Sequence, residues 1–134
     1  MRQAGWENKL FNIVEQARHK KFKWGEHDCF TFAVQCEAAV NGDTKFPELF
    51  DAKYINAFGA TKSFMRHGYR GMMDCIDRRC SKIDANMVKR GDWVALDMPD
   101  GIAIGVCVGD KIAATGVDGL VFLDIKTAKA GWSI

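Results

Sequence analysis

The spacing of apolar residues changes once along this chain, near residue 90, and that change sets the fold class. Before it, Trp6, Leu10, Ile13, Val14 and Ala17 recur at helical spacing and predict a helix over residues 3–20. Asp28 is a good N-cap for a second helix. Its apolar face carries Cys29, Phe32, Ala33, Cys36 and Val40, and Asn41-Gly42 marks its end. Residues 43–48, with Pro47, read as a loop. A third helix is expected over residues 51–67, bearing Tyr54, Ile55, Phe58, Phe64 and Met65 and closed by Gly68, with a weaker fourth over 72–80. Beyond residue 90, short apolar runs are separated by Arg90-Gly91-Asp92, Pro99-Asp100-Gly101, Gly109-Asp110 and Asp118-Gly119. They predict strands at 93–96, 102–108, 111–115, 120–123 and 131–134. The run 102–108 is apolar on both faces, as suits a central strand. Helices followed by a meander indicate an α+β fold. A helical half (1–85) packs on an antiparallel sheet (86–134) within one domain.

Of the 134 residues, 48% are hydrophobic and 27% charged, which excludes a disordered chain and allows a buried core without covalent staples. A formal net charge of +2 gives no reason to expect nucleic acid. The cluster Arg18, His19, Lys20, Lys21 and Lys23 reads as a solvated helix end, with an anionic polymer or acidic partner protein as the minor alternative. Five cysteines cannot all pair within the chain. Residues 1–6 lack the charged, then apolar, then small pattern of a secretory leader, and no apolar run approaches spanning length. The expectation is therefore a chain made in the cytoplasm, with reduced thiols and no membrane span. No cofactor is expected. Cys75, Cys80 and His67 match no common zinc spacing and are better read as core and helix-end residues, so no metal is expected either.

The densest chemical signal is the run from Trp24 to Ala33. Cys29 opens a capped helix, where unpaired N–H groups and the helix dipole favour a thiolate and lower the thiol pKa. A thiolate is the nucleophilic form. The alternative is a small buried core residue, and spacing alone leaves the two readings level. A nucleophilic cysteine needs a base. His19 and His67 end their helices and read as exposed cations, which leaves His27, just outside the second helix, as the one candidate. Trp24 is expected to pack beside the Cys29 helix and to wall a groove there. Trp93, Phe122 and Trp132 read as core or interface residues of the sheet half, and Cys36 and Cys107 as core.

Trp24-Gly25, followed by Asp28-Cys29-Phe30-Thr31-Phe32-Ala33 at a helix start, resembles the core signature of the NlpC-type cell-wall peptidases, which have a reduced papain-like fold. Their second signature is a Gly-Asp that opens a small sheet, then a His-Val-Gly-Ile-x-Val-Gly strand. Gly91-Asp92-Trp93-Val94 and the stretch from Ala103 to Gly109 are similar to it. The resemblance spans nearly the whole chain in element order. It implies a papain-like mini-domain with Cys29 at the nucleophile position and a substrate groove bounded by Trp24, Asp28 and Ala103. Three positions depart from the pattern. Phe30-Thr31 replace Ser-Gly, Ala103 stands where the base histidine belongs, and Ala113 or Ala114 where the third polar residue belongs. An alanine cannot accept or relay a proton. The fuller pattern adds Val108-Gly109-Asp110, Asp118-Gly119-Leu120-Val121 and Trp132, and is most similar to a branch encoded in tailed-phage and prophage tail gene clusters. That implies a virion tail-tip protein, with tail hub and distal tail proteins as partners and peptidoglycan as a further ligand. The expected role is structural or binding, on a degenerate active site. The alternative is an active thiol hydrolase that cuts peptidoglycan stem-peptide amides, with Cys29 as nucleophile and His27 as base.

Overall fold

Each helix begins and ends where a local group satisfies its free backbone donors or acceptors. A computed structural model describes residues 2–50 and 53–134. Helix α1 (Trp6–Ala17) is shorter than the predicted 3–20, because Gly5 is left-handed (φ 72°) ahead of it and the Arg18 N–H turns back to the Glu15 carbonyl. Helix α2 (Cys29–Asn41) starts on Asp28 and ends on Gly42, whose φ of 86° few other residues adopt without strain. A single turn, α3 (Pro47–Phe50), sits partly inside the predicted loop. Helix α4 (Ala57–Arg66) begins at Asn56, whose side-chain oxygen accepts the Gly59 N–H. This cap overrides the helical periodicity upstream, so Tyr54 and Ile55 lie in the approach to α4 rather than within it. The predicted start at residue 51 lies outside the described residues. Helix α5 (Met72–Arg79) follows.

The fold is α+β. Six antiparallel strands form one sheet in the order β1-β6-β2-β3-β4-β5: β1 (Ser81–Ile83), β2 (Trp93–Met98), β3 (Gly101–Cys107), β4 (Lys111–Thr115), β5 (Leu120–Asp124) and β6 (Ala130–Ser133). Strand β1 lies in the predicted helical half. It is three residues long and mostly exposed, too short to display an alternating pattern. Strand β2 pairs with β3 along its whole length, from Trp93↔Val106 to Met98↔Gly101. By contrast β3 pairs with β4 only at Val106↔Ala113 and Cys107↔Ile112, so the ladder opens beyond that point. That opening forms one wall of the cleft described below.

The main core lies between the helices and the sheet. Leu10 and Val14 of α1, Phe32 and Cys36 of α2, Ile76 of α5, and Trp93, Ile104 and Trp132 of the sheet are all buried in it. Helix α2 is buried nearly all round, with Phe30 and Val34 inside as well as the predicted stripe. Phe46, in the segment read as a loop, stacks on Trp93 with ring centroids 5.5 Å apart and meets the edge of Phe30. The segment is held by buried Glu37, which accepts the Thr44 hydroxyl (2.6 Å) and the Lys45 N–H (2.9 Å). A smaller cluster, Val94, Leu96, Ile112 and Ala114, fills the other face of the sheet, so β2 is buried on both faces from Trp93 to Leu96. Asp92, from the sheet-opening motif, ties chain segments together. Its carboxylate pairs with Arg2 (2.8 Å) and accepts the Lys89 and Ile134 N–H groups.

At Gly105 the sheet and its second core meet too closely for a side chain. A Cβ there would lie 2.4 Å from Ile112 Cγ2 and 3.0 Å from Leu96 Cδ1. Gly105→Ala is expected to destabilise the fold by about 1–3 kcal/mol, the usual cost of overpacking. Urea unfolding followed by tryptophan fluorescence would measure it.

Candidate functional site

The start of α2 is built around one carboxylate. Asp28 accepts the Thr31 N–H at one oxygen (2.9 Å), while the Thr31 hydroxyl accepts the Asp28 N–H (2.8 Å), a reciprocal cap. Its other oxygen accepts the Gly25 N–H (2.9 Å) and the Tyr54 hydroxyl (2.6 Å). Asp28 thereby joins the turn before α2 to the approach of α4. It is 1% exposed, so it forms the floor of the site, lining the side pocket at Cys29 and not the larger cleft. Burial first, then the Asp28 charge, pushes the Tyr54 hydroxyl pKa up, which keeps it a donor.

Trp24, Cys29 and Ala103 line one cleft of about 500 Å³, together with Ile102, Thr115 and Val117. A side pocket of about 170 Å³ also reaches Cys29, between Asp28, Tyr54 and Met72. The sequence reading placed Trp24, Cys29 and Ala103 near one another. It missed Tyr54, Met72 and Thr115, which arrive from the α4 approach, the start of α5 and the end of β4. No local motif marks them, since only packing brings those segments to Cys29.

The β2–β3 register pairs Ala103 with Leu96, so its methyl group follows the Leu96 side of the sheet. Ile102 and Ile104 alternate toward α2. Position 103 borders the cleft, but the Cys29 sulfur sits by the main chain of Ile104 and lies 4.0 Å from the Met72 sulfur.

The lowered thiol pKa expected from the helix start is not found. The Cys29 pKa is pushed up to about 11, first by burial. The Ile104 backbone and the first amides of α2 favour the anion, but the adjacent Asp28 carboxylate opposes it. Desolvation wins because the sulfur, though it keeps some surface in the cleft, packs against Met72 and the sheet.

His27 is not placed as the base. Its side chain is buried, its ring meets the edge of Phe32 with centroids 5.9 Å apart, and neither ring nitrogen has a hydrogen-bond partner. The other imidazoles are placed elsewhere: His19 is exposed, and His67 Nδ1 lies 2.9 Å from the Ser63 carbonyl at the end of α4. No histidine lines either cleft that reaches Cys29. All five cysteines are free, and Cys36, Cys75, Cys80 and Cys107 are buried. Among the described residues no group of three or more histidine, cysteine, aspartate or glutamate side chains is placed to hold a metal ion. None of the described helices is long and apolar enough to cross a membrane.

A family model described as a domain of unknown function, DUF6950, matches residues 1–134. The chain belongs to the DUF6950 family. No curated protein matches it. In this DUF6950 chain the cleft therefore has to be read from its own chemistry: one thiol whose pKa burial raises, one threonine, the Asp100 carboxylate, a largely apolar rim and no imidazole.

The buried His27 makes a stability prediction. Burial lowers its pKa, with Lys20 adding to the effect and Asp28 opposing it. A histidine whose pKa is depressed on folding takes up its proton first in the unfolded chain. Its contribution is thus present above the ordinary histidine value of about 6.5 and is lost as pH falls below it. His27→Leu is expected to raise stability by roughly 1–3 kcal/mol, by removing two unpaired polar atoms, and to flatten the decline in Tm between about pH 7 and pH 5. Thermal unfolding across that range would measure both effects.

Proposed function

We propose that this chain is a binding or structural component of a phage tail tip, built on an NlpC-type, papain-like scaffold whose thiol performs no hydrolysis. The observation that carries the non-catalytic reading is the setting of Cys29: no imidazole lines either cleft that reaches it, and its sulfur lies 4.0 Å from the Met72 sulfur, where burial raises the thiol pKa. Acyl transfer by a thiol requires the thiolate and a group to protonate the leaving amine; burial disfavours the thiolate, and the acidic group lining both clefts, Asp100, is a carboxyl and not the imidazole that normally serves a thiol. What persists is a shaped cleft with an apolar rim, where Ile102 and Val117 are 56% and 80% exposed. Such a surface suits binding to another chain. The tail-tip placement comes from the resemblance of the motifs around Cys29 and in the sheet to the tail-encoded branch of that superfamily.

The test pairs activity with assembly. Incubated with purified cell-wall sacculi between about pH 5 and pH 9, the chain is expected to release no muropeptides. It is expected to bind purified tail hub or distal tail protein equally well with and without Cys29→Ala. Muropeptide release that disappears in Cys29→Ala would overturn the non-catalytic reading, and failure to bind any tail-tip component would overturn the placement.

A further inference from the structure

Trp24 also borders a second cleft, of about 640 Å³, between the turn before α2 and the start of α4. Four cations, Lys23, Lys53, Lys62 and Arg66, line it against one carboxylate, Glu26. On a chain whose formal net charge is only +2, this is a local concentration of positive charge. Among the described residues only Lys23 has an ion-pair partner, Glu26 at 3.3 Å, while Lys53, Lys62 and Arg66 are exposed and take part in none of the ion pairs. The same cleft presents Ile55 and Phe58, which are 87% and 71% exposed. Its walls are held in place: the Tyr54 hydroxyl is bonded to buried Asp28, and Asn56 caps α4.

We propose that this cleft docks an acidic polypeptide segment that also carries apolar side chains. Carboxylates would lie over Lys53, Lys62 and Arg66, and the apolar side chains over Ile55 and Phe58. Exposed cations beside large exposed apolar groups complement a ligand having both features, and electrostatic complementarity would set partner choice and encounter rate. Single-stranded nucleic acid fits less well. It needs several open aromatic faces for stacking, yet Phe58 is the one exposed aromatic ring among the described residues here, with the Lys62 ammonium over one face (5.0 Å), and Trp24 is packed by Phe22 and Tyr54. Ile55 has no stacking face at all. The site does not involve the Cys29 sulfur, so the proposal stands whether or not that thiol reacts.

The full chain can be titrated against a fluorescein-labelled peptide in which Asp and Glu alternate with Leu and Phe, with anisotropy as the readout. Expected is saturable binding that weakens at least about tenfold in Lys53→Glu/Lys62→Glu and in Ile55→Ser/Phe58→Ser, and that weakens as salt rises. All four positions are exposed, so both variants should fold, and circular dichroism would check that. A peptide with lysine in place of the acidic residues, an acidic peptide without the apolar residues, and an oligothymidylate should each bind at least about tenfold more weakly than the first peptide. The proposal is overturned by absence of saturable binding, by affinity unchanged in both variants and across salt, or by oligothymidylate binding more tightly than the peptide.

Discussion

An aromatic disulfide reagent at pH 7 is expected to modify Cys29 about twenty- to thirty-fold more slowly than it modifies a free cysteine. Two opposing effects set this figure. A thiol with a pKa of about 11 is only about one part in ten thousand thiolate at pH 7, whereas a free cysteine near 8.5 is about 3% thiolate. That ratio alone is about three-hundredfold. The more basic thiolate is also the better nucleophile, which returns a factor of roughly ten. Cys29 is half-buried whereas the other four cysteines are buried, so labelling of the folded protein reports mainly on it. The rate should climb about tenfold per pH unit toward pH 11, following the thiolate fraction. A plateau below pH 8 would mean an activated thiol and would sink the non-catalytic reading. The same raised pKa has a stability consequence. A group whose pKa rises on folding stabilises fully below its ordinary value and loses that contribution as pH climbs through the folded value. Cys36, Cys75, Cys80 and Cys107 are all shifted upward by burial as well. The fold should therefore weaken above about pH 9.

Asp28→Ala is expected to be the most damaging single substitution near the cleft, at about 3–5 kcal/mol. Loss of an N-cap costs about 0.5–2 kcal/mol. It would also strand the Gly25 N–H and the Tyr54 hydroxyl, both half-buried and bonded to the same carboxylate oxygen, toward the lower end of the roughly 1–3 kcal/mol that an unpaired buried donor costs. Asp28→Asn keeps an acceptor for the Thr31 N–H but turns an amide toward the other two donors. It should cost less, about 1–2 kcal/mol. Urea unfolding of Asp28→Asn, Tyr54→Phe and the double variant would show the coupling. If Asp28 and Tyr54 act through their shared bond, the double variant loses less than the two single variants added together. Removing the charge also removes the one nearby group that repels a thiolate. Asp28→Asn should thus speed labelling of Cys29 by more than an equally destabilising substitution that leaves the charge in place, such as Gly105→Ala, does. Equal labelling in both proteins would show that burial alone controls the sulfur.

The change of hydrophobic period near residue 90 was enough to set the α+β class, and the cap at Asp28 and the stop at Gly42 were legible because helix ends are local chemistry. So were most strands, since each is bracketed by turn residues. The sequence alone also narrowed the candidate chemistry to Cys29, because few residues sit at a capped helix start with a thiol. What it left undetermined depends on distant segments. The β3–β4 ladder opens after two residue pairs, and that opening, not a motif, forms the cleft wall. The β2–β3 register turned the Ala103 methyl toward the Leu96 side, a matter of pairing that a single strand cannot express. His27 was a candidate base on proximity along the chain, yet the turn from Lys23 to His27 buries its ring beside Phe32. The helix start lowers a thiol pKa only if the sulfur stays hydrated. Desolvation by residues far away in sequence, Met72 and Ile104, reversed the sign. Local capping and periodicity were thus written into the chain. The neighbours of its half-buried thiol, and with them the direction of its pKa shift, were decided by packing.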